Sequence, residues 1–422
     1  MKIMVTDKSY KEVISLPKEK HINPVKQRVF WRWLLKLLSV GELKAVDFSY
    51  TTQGIDTLDP NKPVLILMNH SSFTDLQIAA TLLSKRQYHI IMTDDGMIGK
   101  SWLMRNIGCI PTKKFIQDTV LVKDMVYCVK KLNSSILMYP EASYSFDGTA
   151  TPLPDSLGKL IKLLGIPVVM IKTKGAFLRD PLYNNLRKRN VKVTATETLL
   201  LTADEAESKS VAEINDVLKT AFTFDNFREQ VEDGVLVSED FRADDLERVL
   251  YKCPHCNNEG SMRVKGTSIL CSACGESHTL LETGKLKCTT GDTLYEYISD
   301  WYSFERACVR TEIENNSYLL DIEVTILVLV DSKSMYRIGD GHLIHNTSGF
   351  TLTGSNGELS YHQGPRHSYS LYSDYYWYEL GDMICIGDSD IRYYCFPRKE
   401  ANIPVAKARL ATEELWKINC NM

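Results

Sequence analysis

Val64–Asp75 reads VLILMNHSSFTD. Five apolar residues run directly into Asn, His, two Ser and, after Phe-Thr, an Asp. A short apolar run without alternation is a strand buried on both faces, as in a parallel sheet. The polar turn that follows places Ser72 or Thr74 to cap a helix whose first turn holds Asp75. This strand–turn–helix passage folds the Asp75 carboxylate back toward the His70 imidazole. A carboxylate that accepts from one ring nitrogen fixes the tautomer and raises the basicity of the other, which suits deprotonating a hydroxyl. The competing reading is a capped turn without chemistry, and spacing alone does not exclude it. His89 and Asp94 repeat the interval, yet His89 lies inside the apolar run YHIIM, where a core histidine is expected.

Outward from this stretch, residues 62–200 alternate short apolar runs with helical periods. PVLILM, YHIIM, CIPT, SSILMYP and IPVVMIKT read as strands. DLQIAATLLSK, GKSWLMRNI, DTVLVKDMVYCVKKL and LGKLIKLLG read as the helices between them. The expected fold is α/β, a mixed, mostly parallel sheet covered by helices, with functional residues where strands end.

Three more strand ends carry polar groups. GCIPTKK (Gly108–Lys114) ends in two lysines, LMYPEAS (Leu137–Ser143) carries Tyr139, Pro140 and Glu141, and GIPVVMI (Gly165–Ile171) opens with Ile166-Pro167. With Asn69, His70 and Asp75, these four segments in this order resemble the lysophospholipid acyltransferase family, which includes 1-acyl-glycerol-3-phosphate acyltransferases. The resemblance covers about residues 60–200. It implies acyl transfer from acyl-CoA or acyl-carrier protein to a lysophospholipid hydroxyl. His70 would be the base, Asp75 its orienting partner, and Glu141 a hydroxyl acceptor or an ordering group. Asn69, Gly108, Lys113, Lys114, Tyr139 and Pro140 would form the substrate site, with Lys114 on the phosphate. Backbone N–H groups at the strand ends would stabilise the oxyanion. Lys114 stands where the family usually has Arg, Ala142 where it has Gly, and Met170 where it has a second Pro. Lysine cannot give arginine's bidentate fork, and Ala at a position needing positive φ is strained. These departures bear on the acceptor, so another lysolipid or an aminolipid is the alternative. Lys172, Lys174 and Arg179 are further candidates for phosphate or coenzyme A. Ser71, Ser72 and Cys109 lie close by, but no Gly-x-Ser-x-Gly elbow supports a covalent nucleophile.

The flanks suggest further parts. VKQRVFWRWLLKLL, residues 25–38, sets Arg28, Arg32 and Lys36 in a basic stripe beside Phe30, Trp31, Trp33 and several Leu. A helix of that kind suits a membrane interface. Cys253, Cys256, Cys271 and Cys274 form Cys-x2-Cys-x14-Cys-x2-Cys, which resembles a zinc ribbon holding structural Zn²⁺. Cys288, His255 and His278 read as bystanders. From about 318 the texture becomes β, with a hairpin expected at Gly339-Asp340-Gly341 and an amphipathic helix in VAKARLATEELWKI. This tail resembles a small pleckstrin- or GRAM-like module. The expected division is 1–50, an N-terminal interface region; 51–203, the acyltransferase domain; 204–250, an acidic helical linker; 251–290, the zinc ribbon; and 291–422, the β-rich domain.

Net charge is −3, and residues 204–250 hold fourteen Asp/Glu against five Lys/Arg, so no basic field points to nucleic acid. No apolar run reaches the ~20 residues of a membrane span, and no secretory h-region opens the chain. Eleven scattered Cys suit a reducing compartment. The expected setting is bacterial and cytoplasmic, peripheral on the inner face of the cell membrane. The expected partners are the lipid surface, a lysophospholipid, an acyl thioester and a protein docked on the ribbon or the β-rich part. A non-catalytic lipid-binding adaptor is the reading from another class.

Overall fold

The computed structural model describes residues 3–398 and 404–420. A seven-stranded sheet runs in the order Ser49–Gln53, Thr194–Leu201, Val168–Lys174, Leu65–Met68, Ser135–Met138, Tyr88–Thr93, Cys109–Thr112. The last five are mutually parallel, and Thr194–Leu201 pairs antiparallel with Val168–Lys174. All four residues of Leu65–Met68 are buried, because helices cover both faces. Side chains alternate along the strand. Leu65 and Leu67 join the core that includes Met125, Ile161, Ile214 and Leu218. Ile66 and Met68 join the other, with Leu43, Ile78 and Ala79. The acidic stretch 204–250 supplies part of the first core: its helix Val211–Ala221 packs on Leu157–Leu164.

Of the four cysteines, Cys271 ends a strand of a four-stranded antiparallel sheet, Leu286–Cys288, Ser277–Leu280, Ser268–Cys271, Met262–Lys265, and Cys253, Cys256 and Cys274 lie outside its strands. A second large sheet is antiparallel in the order Leu359–Gln363, Gly349–Gly354, Met335–Asn346, Leu319–Leu329, Arg392–Pro397, Gly381–Gly387, Tyr372–Trp377. An eighth strand, Val5–Asp7, joins it in parallel beside Met335–Arg337.

Two local expectations are corrected. Gly339-Asp340-Gly341 is no turn. Met335–Asn346 runs through it as one strand, with a register shift where Ile326 and Leu327 face Gly339 and Arg337. A Cβ on Gly341 would meet Ile326 Cδ1 and the Thr353 carbonyl, each at 2.4 Å, so this glycine marks close strand packing. The final helix, Pro404–Asn419, is buried on every side over 405–415. Its charges have internal partners. Glu413 and Glu414 pair with Arg306, at 2.7 and 3.1 Å, and Lys407 pairs with Glu259 and Glu312, at 2.7 and 2.9 Å.

The large antiparallel sheet docks against the ends of the parallel strands. Asp95, just beyond Tyr88–Thr93, accepts from the hydroxyls of Tyr372 (2.6 Å) and Tyr394 (3.1 Å), and Arg392 pairs with Asp94. Asp95→Ala would leave both buried hydroxyls without an acceptor. A loss of about 2–3 kcal/mol is expected in urea unfolding.

Candidate active site

The C-terminal ends of the parallel strands bring the predicted residues to one place, as open α/β sheets do. His70 leaves Leu65–Met68, Glu141 leaves Ser135–Met138, and Lys113 and Lys114 leave Cys109–Thr112. His70, Lys113, Lys114, Tyr139 and Pro140 line one cavity of about 1790 Å³.

Asp75 lies in the first turn of Thr74–Leu82 and is buried. Its Oδ2 accepts from the backbone N–H of Ser71 (2.7 Å) and Ser72 (3.0 Å), and His70 Nδ1 lies 3.1 Å away. With Nδ1–H donated to the carboxylate, Nε2 carries the lone pair. Burial is the main influence on the imidazole and holds its pKa below the usual 6.5, although Asp75 pulls it up. The ring is therefore neutral, and a base, at neutral pH. His70 is stacked between Tyr139 and Tyr144, each with centroids 4.2 Å away. Tyr144 was not among the residues expected from sequence; only its place three residues beyond Glu141 hints at a role.

Glu141 orders the turn. Its Oε2 accepts from His70 N (3.0 Å) and its Oε1 from Thr151 N (2.8 Å), while burial pushes its carboxyl up to about 7. The backbone N–H groups of His70, Ser71 and Ser72 are thus occupied by Glu141 and Asp75, so donors for an oxyanion are not these three. Asn69 does not line the cavity. It is fully buried, with Oδ1 accepting from Thr173 N (2.8 Å) and Nδ2 donating to Thr173 O (3.3 Å), and it staples two strands. Gly108, at φ +92°, makes the tight turn into Cys109–Thr112. His89 is a core residue, bonded to Ser134 Oγ and the Val25 carbonyl. Lys172, Lys174 and Arg179 pair with Glu229, Asp233 and Glu42, at 3.2, 2.9 and 3.0 Å.

Residues 49–173 match the Acyltransferase family model. This segment is an acyltransferase domain. Among solved structures, the 1-acyl-sn-glycerophosphate acyltransferase of Thermotoga maritima is similar over 45% of this chain and 78% of its own, with 12% identity and a TM-score of 0.34. Comparison with curated proteins gives no match.

Three elements outside the acyltransferase domain's sheet also wall the cavity. One is the helix Val29–Ala45, which starts later and runs longer than the 25–38 segment. Its Trp31, Leu34, Leu35 and Leu38 line the apolar end, and Phe30, Trp33 and Leu37 are exposed. Arg32 does not join a solvent-facing stripe, because its guanidinium donates to Gln87 Oε1. No helix among the described residues, this one included, is long and apolar enough to cross a membrane. The other two elements are the strand Tyr372–Trp377 and the helix Pro404–Asn419, through Tyr372, Asp374, Glu413 and Trp416. Arg409 of that helix donates to the Tyr144 carbonyl and lies 4.4 Å from the Phe146 ring centroid.

The Sγ atoms of Cys253, Cys256, Cys271 and Cys274 all lie within 4.8 Å of one another, with two pairs at 3.7 Å. A tetrahedral metal with bonds of about 2.3 Å to sulfur has edges of about 3.8 Å, so the four fit one ion. Glu276, His278 and Cys288, all buried, gather beside it, and Glu276 Oε2 is 3.4 Å from Cys253 Sγ.

Ala142, in the loop after Glu141, sits at φ +57°. Left-handed backbone costs a Cβ-bearing residue about 1–2 kcal/mol, partly offset by glycine's greater unfolded-state entropy. Ala142→Gly is expected to raise stability by about 0.5–1 kcal/mol in denaturant titration.

Proposed function

We propose that this protein moves a fatty acyl group from an acyl thioester, carried on coenzyme A or acyl-carrier protein, to the free hydroxyl of a lysolipid. The observation that carries the reading is His70, neutral and held by Asp75 in an acyltransferase domain, at the wall of a large, mostly apolar cavity. Nε2 takes the hydroxyl proton as the oxygen attacks the thioester carbonyl. Collapse of the tetrahedral intermediate breaks the carbon–sulfur bond, and the imidazolium returns its proton to the leaving thiolate. Tyr139 and Tyr144 hold the ring in plane, and Glu141 fixes the backbone beneath it. 1-Acyl-glycerol-3-phosphate is the acceptor implied by the motif resemblance. A lysolipid with an amine in its head group is the second reading, favoured by the surroundings of Lys114. Zn²⁺ is the proposed occupant of the four cysteines, and with no open position its role is structural.

The test is transfer from labelled acyl-CoA and acyl-carrier protein to a panel of lysolipids. His70→Ala is expected to lower kcat by about 10²–10⁴-fold. Equal turnover by both proteins overturns His70 as base. Protonation disables the base, so wild-type activity falls as pH drops through the His70 pKa, placing the acid limb below pH 6.5.

The exposed Phe30, Trp33 and Leu37, contiguous with the cavity's apolar end, favour attachment to a lipid surface, from which acyl chains enter. Trp33→Glu combined with Leu37→Glu is expected to cut co-sedimentation with anionic vesicles about tenfold. Unchanged binding would count against this face.

A further inference from the structure

Lys114, the residue matched to the family's phosphate-binding position, does not face an empty anion site. Its Nζ rests 4.2 Å from the centroid of the Tyr372 ring, which belongs to the antiparallel domain. Asp374 follows two residues later on the same strand, hence on the same sheet face. It lines the same cavity as His70 and Lys114. Burial weakens the charge on both groups, lowering the Lys114 pKa and pushing the Asp374 carboxyl up to about 7, and each draws the other back toward its charged form. Tyr369, Tyr376 and Tyr378 line the cavity beside them.

The consequences for an incoming head group follow from charge. A phosphomonoester placed on Lys114 would have to draw the ammonium off an aromatic face and away from a carboxylate. It would then meet Asp374 as a like charge. An ammonium meets the opposite situation. An aromatic face and a carboxylate in a desolvated pocket are the two groups that attract it most. The lysine side chain already shows the aromatic half of this fit, since its own ammonium rests on the Tyr372 ring. A ligand that brings an ammonium of its own can displace Lys114 from the ring and leave it for a phosphate.

We propose that Tyr372 and Asp374 form an ammonium subsite, and that the acceptor is a lysolipid whose head group carries both a phosphate and an amine. The phosphate lies on Lys114 and the amine on Tyr372 and Asp374. The inference rests on the acyl-transfer reading and extends it to the class of acceptor. The antiparallel domain is then the part of the chain that selects the substrate.

The test compares 1-acyl-glycerophosphocholine and 1-acyl-glycerophosphoethanolamine with 1-acyl-glycerol-3-phosphate as acceptors for the full-length wild type and Asp374→Asn. The wild type is expected to favour the amine-bearing acceptors by about tenfold or more in kcat/KM, and the variant to lose most of that preference. Should the variant fail to fold, the wild-type ratio decides alone. Preference for 1-acyl-glycerol-3-phosphate, or a ratio unmoved by Asp374→Asn, overturns the ammonium subsite while leaving acyl transfer intact. No transfer to any lysolipid from either donor overturns acyl transfer, and this inference with it.

Discussion

A single carboxylate oxygen organises the strand exit on which the site is built. Oδ2 of Asp75 takes the N–H groups of Ser71 and Ser72 and the Nδ1 side of His70. A buried carboxylate is tolerable only when donors surround it, so the turn must curl around Asp75 and bring the imidazole with it. The geometry needed to fold the turn and the geometry needed to orient a base are the same. Glu141 makes a similar demand from the neighbouring strand, tying His70 N to Thr151 N through its two oxygens. The rest of the site is arranged around a histidine that these two acids hold in place.

The helix Pro404–Asn419 binds the other parts to that centre. Its Lys407 reaches Glu259 of the cysteine-bearing segment, Glu413 accepts from Ser370 of the antiparallel domain, and Arg409 donates to the Tyr144 carbonyl. Buried ion pairs are weak sources of net stability, because desolvation offsets much of their attraction. Their directional hydrogen bonds are better suited to setting register. Here they specify how three parts of the chain meet around one cavity.

His70 and Asp75 were legible because their chemistry is local: they stand five positions apart, and the buried strand before His70 and the helix start at Thr74 have their own signatures. Lys113, Lys114, Tyr139 and Glu141 were legible as strand-end residues in an ordered set. Tyr144 was not, since its stacking on His70 depends on the path of the loop after Glu141. Tyr372 and Asp374 were beyond reach because they lie some 300 residues from His70 along the chain, and only the docking of the second sheet brings them over. Gly339-Asp340-Gly341 has the composition of a turn. Its strand conformation comes from the approach of Ile326 and Thr353, which composition does not record. The last helix reads as amphipathic because periodicity treats charge as a mark of solvent. Lys407, Arg409, Glu413 and Glu414 instead find one another's opposites inside the protein. Asn69, expected on the substrate, is instead consumed by Thr173.

The short strand Val5–Asp7 carries a consequence for how the chain acquires this shape. Thr6 Oγ1 bonds Ser334 Oγ across 328 residues of sequence. Closing a loop of that size delays such a contact until the intervening chain has been organised, and non-local pairings of this kind slow folding. The antiparallel sheet receives this edge strand only after the parallel sheet has carried the chain away and returned it. Loosening at either sheet should then be felt at the other, making the His70 strand exit and the antiparallel sheet one cooperative unit.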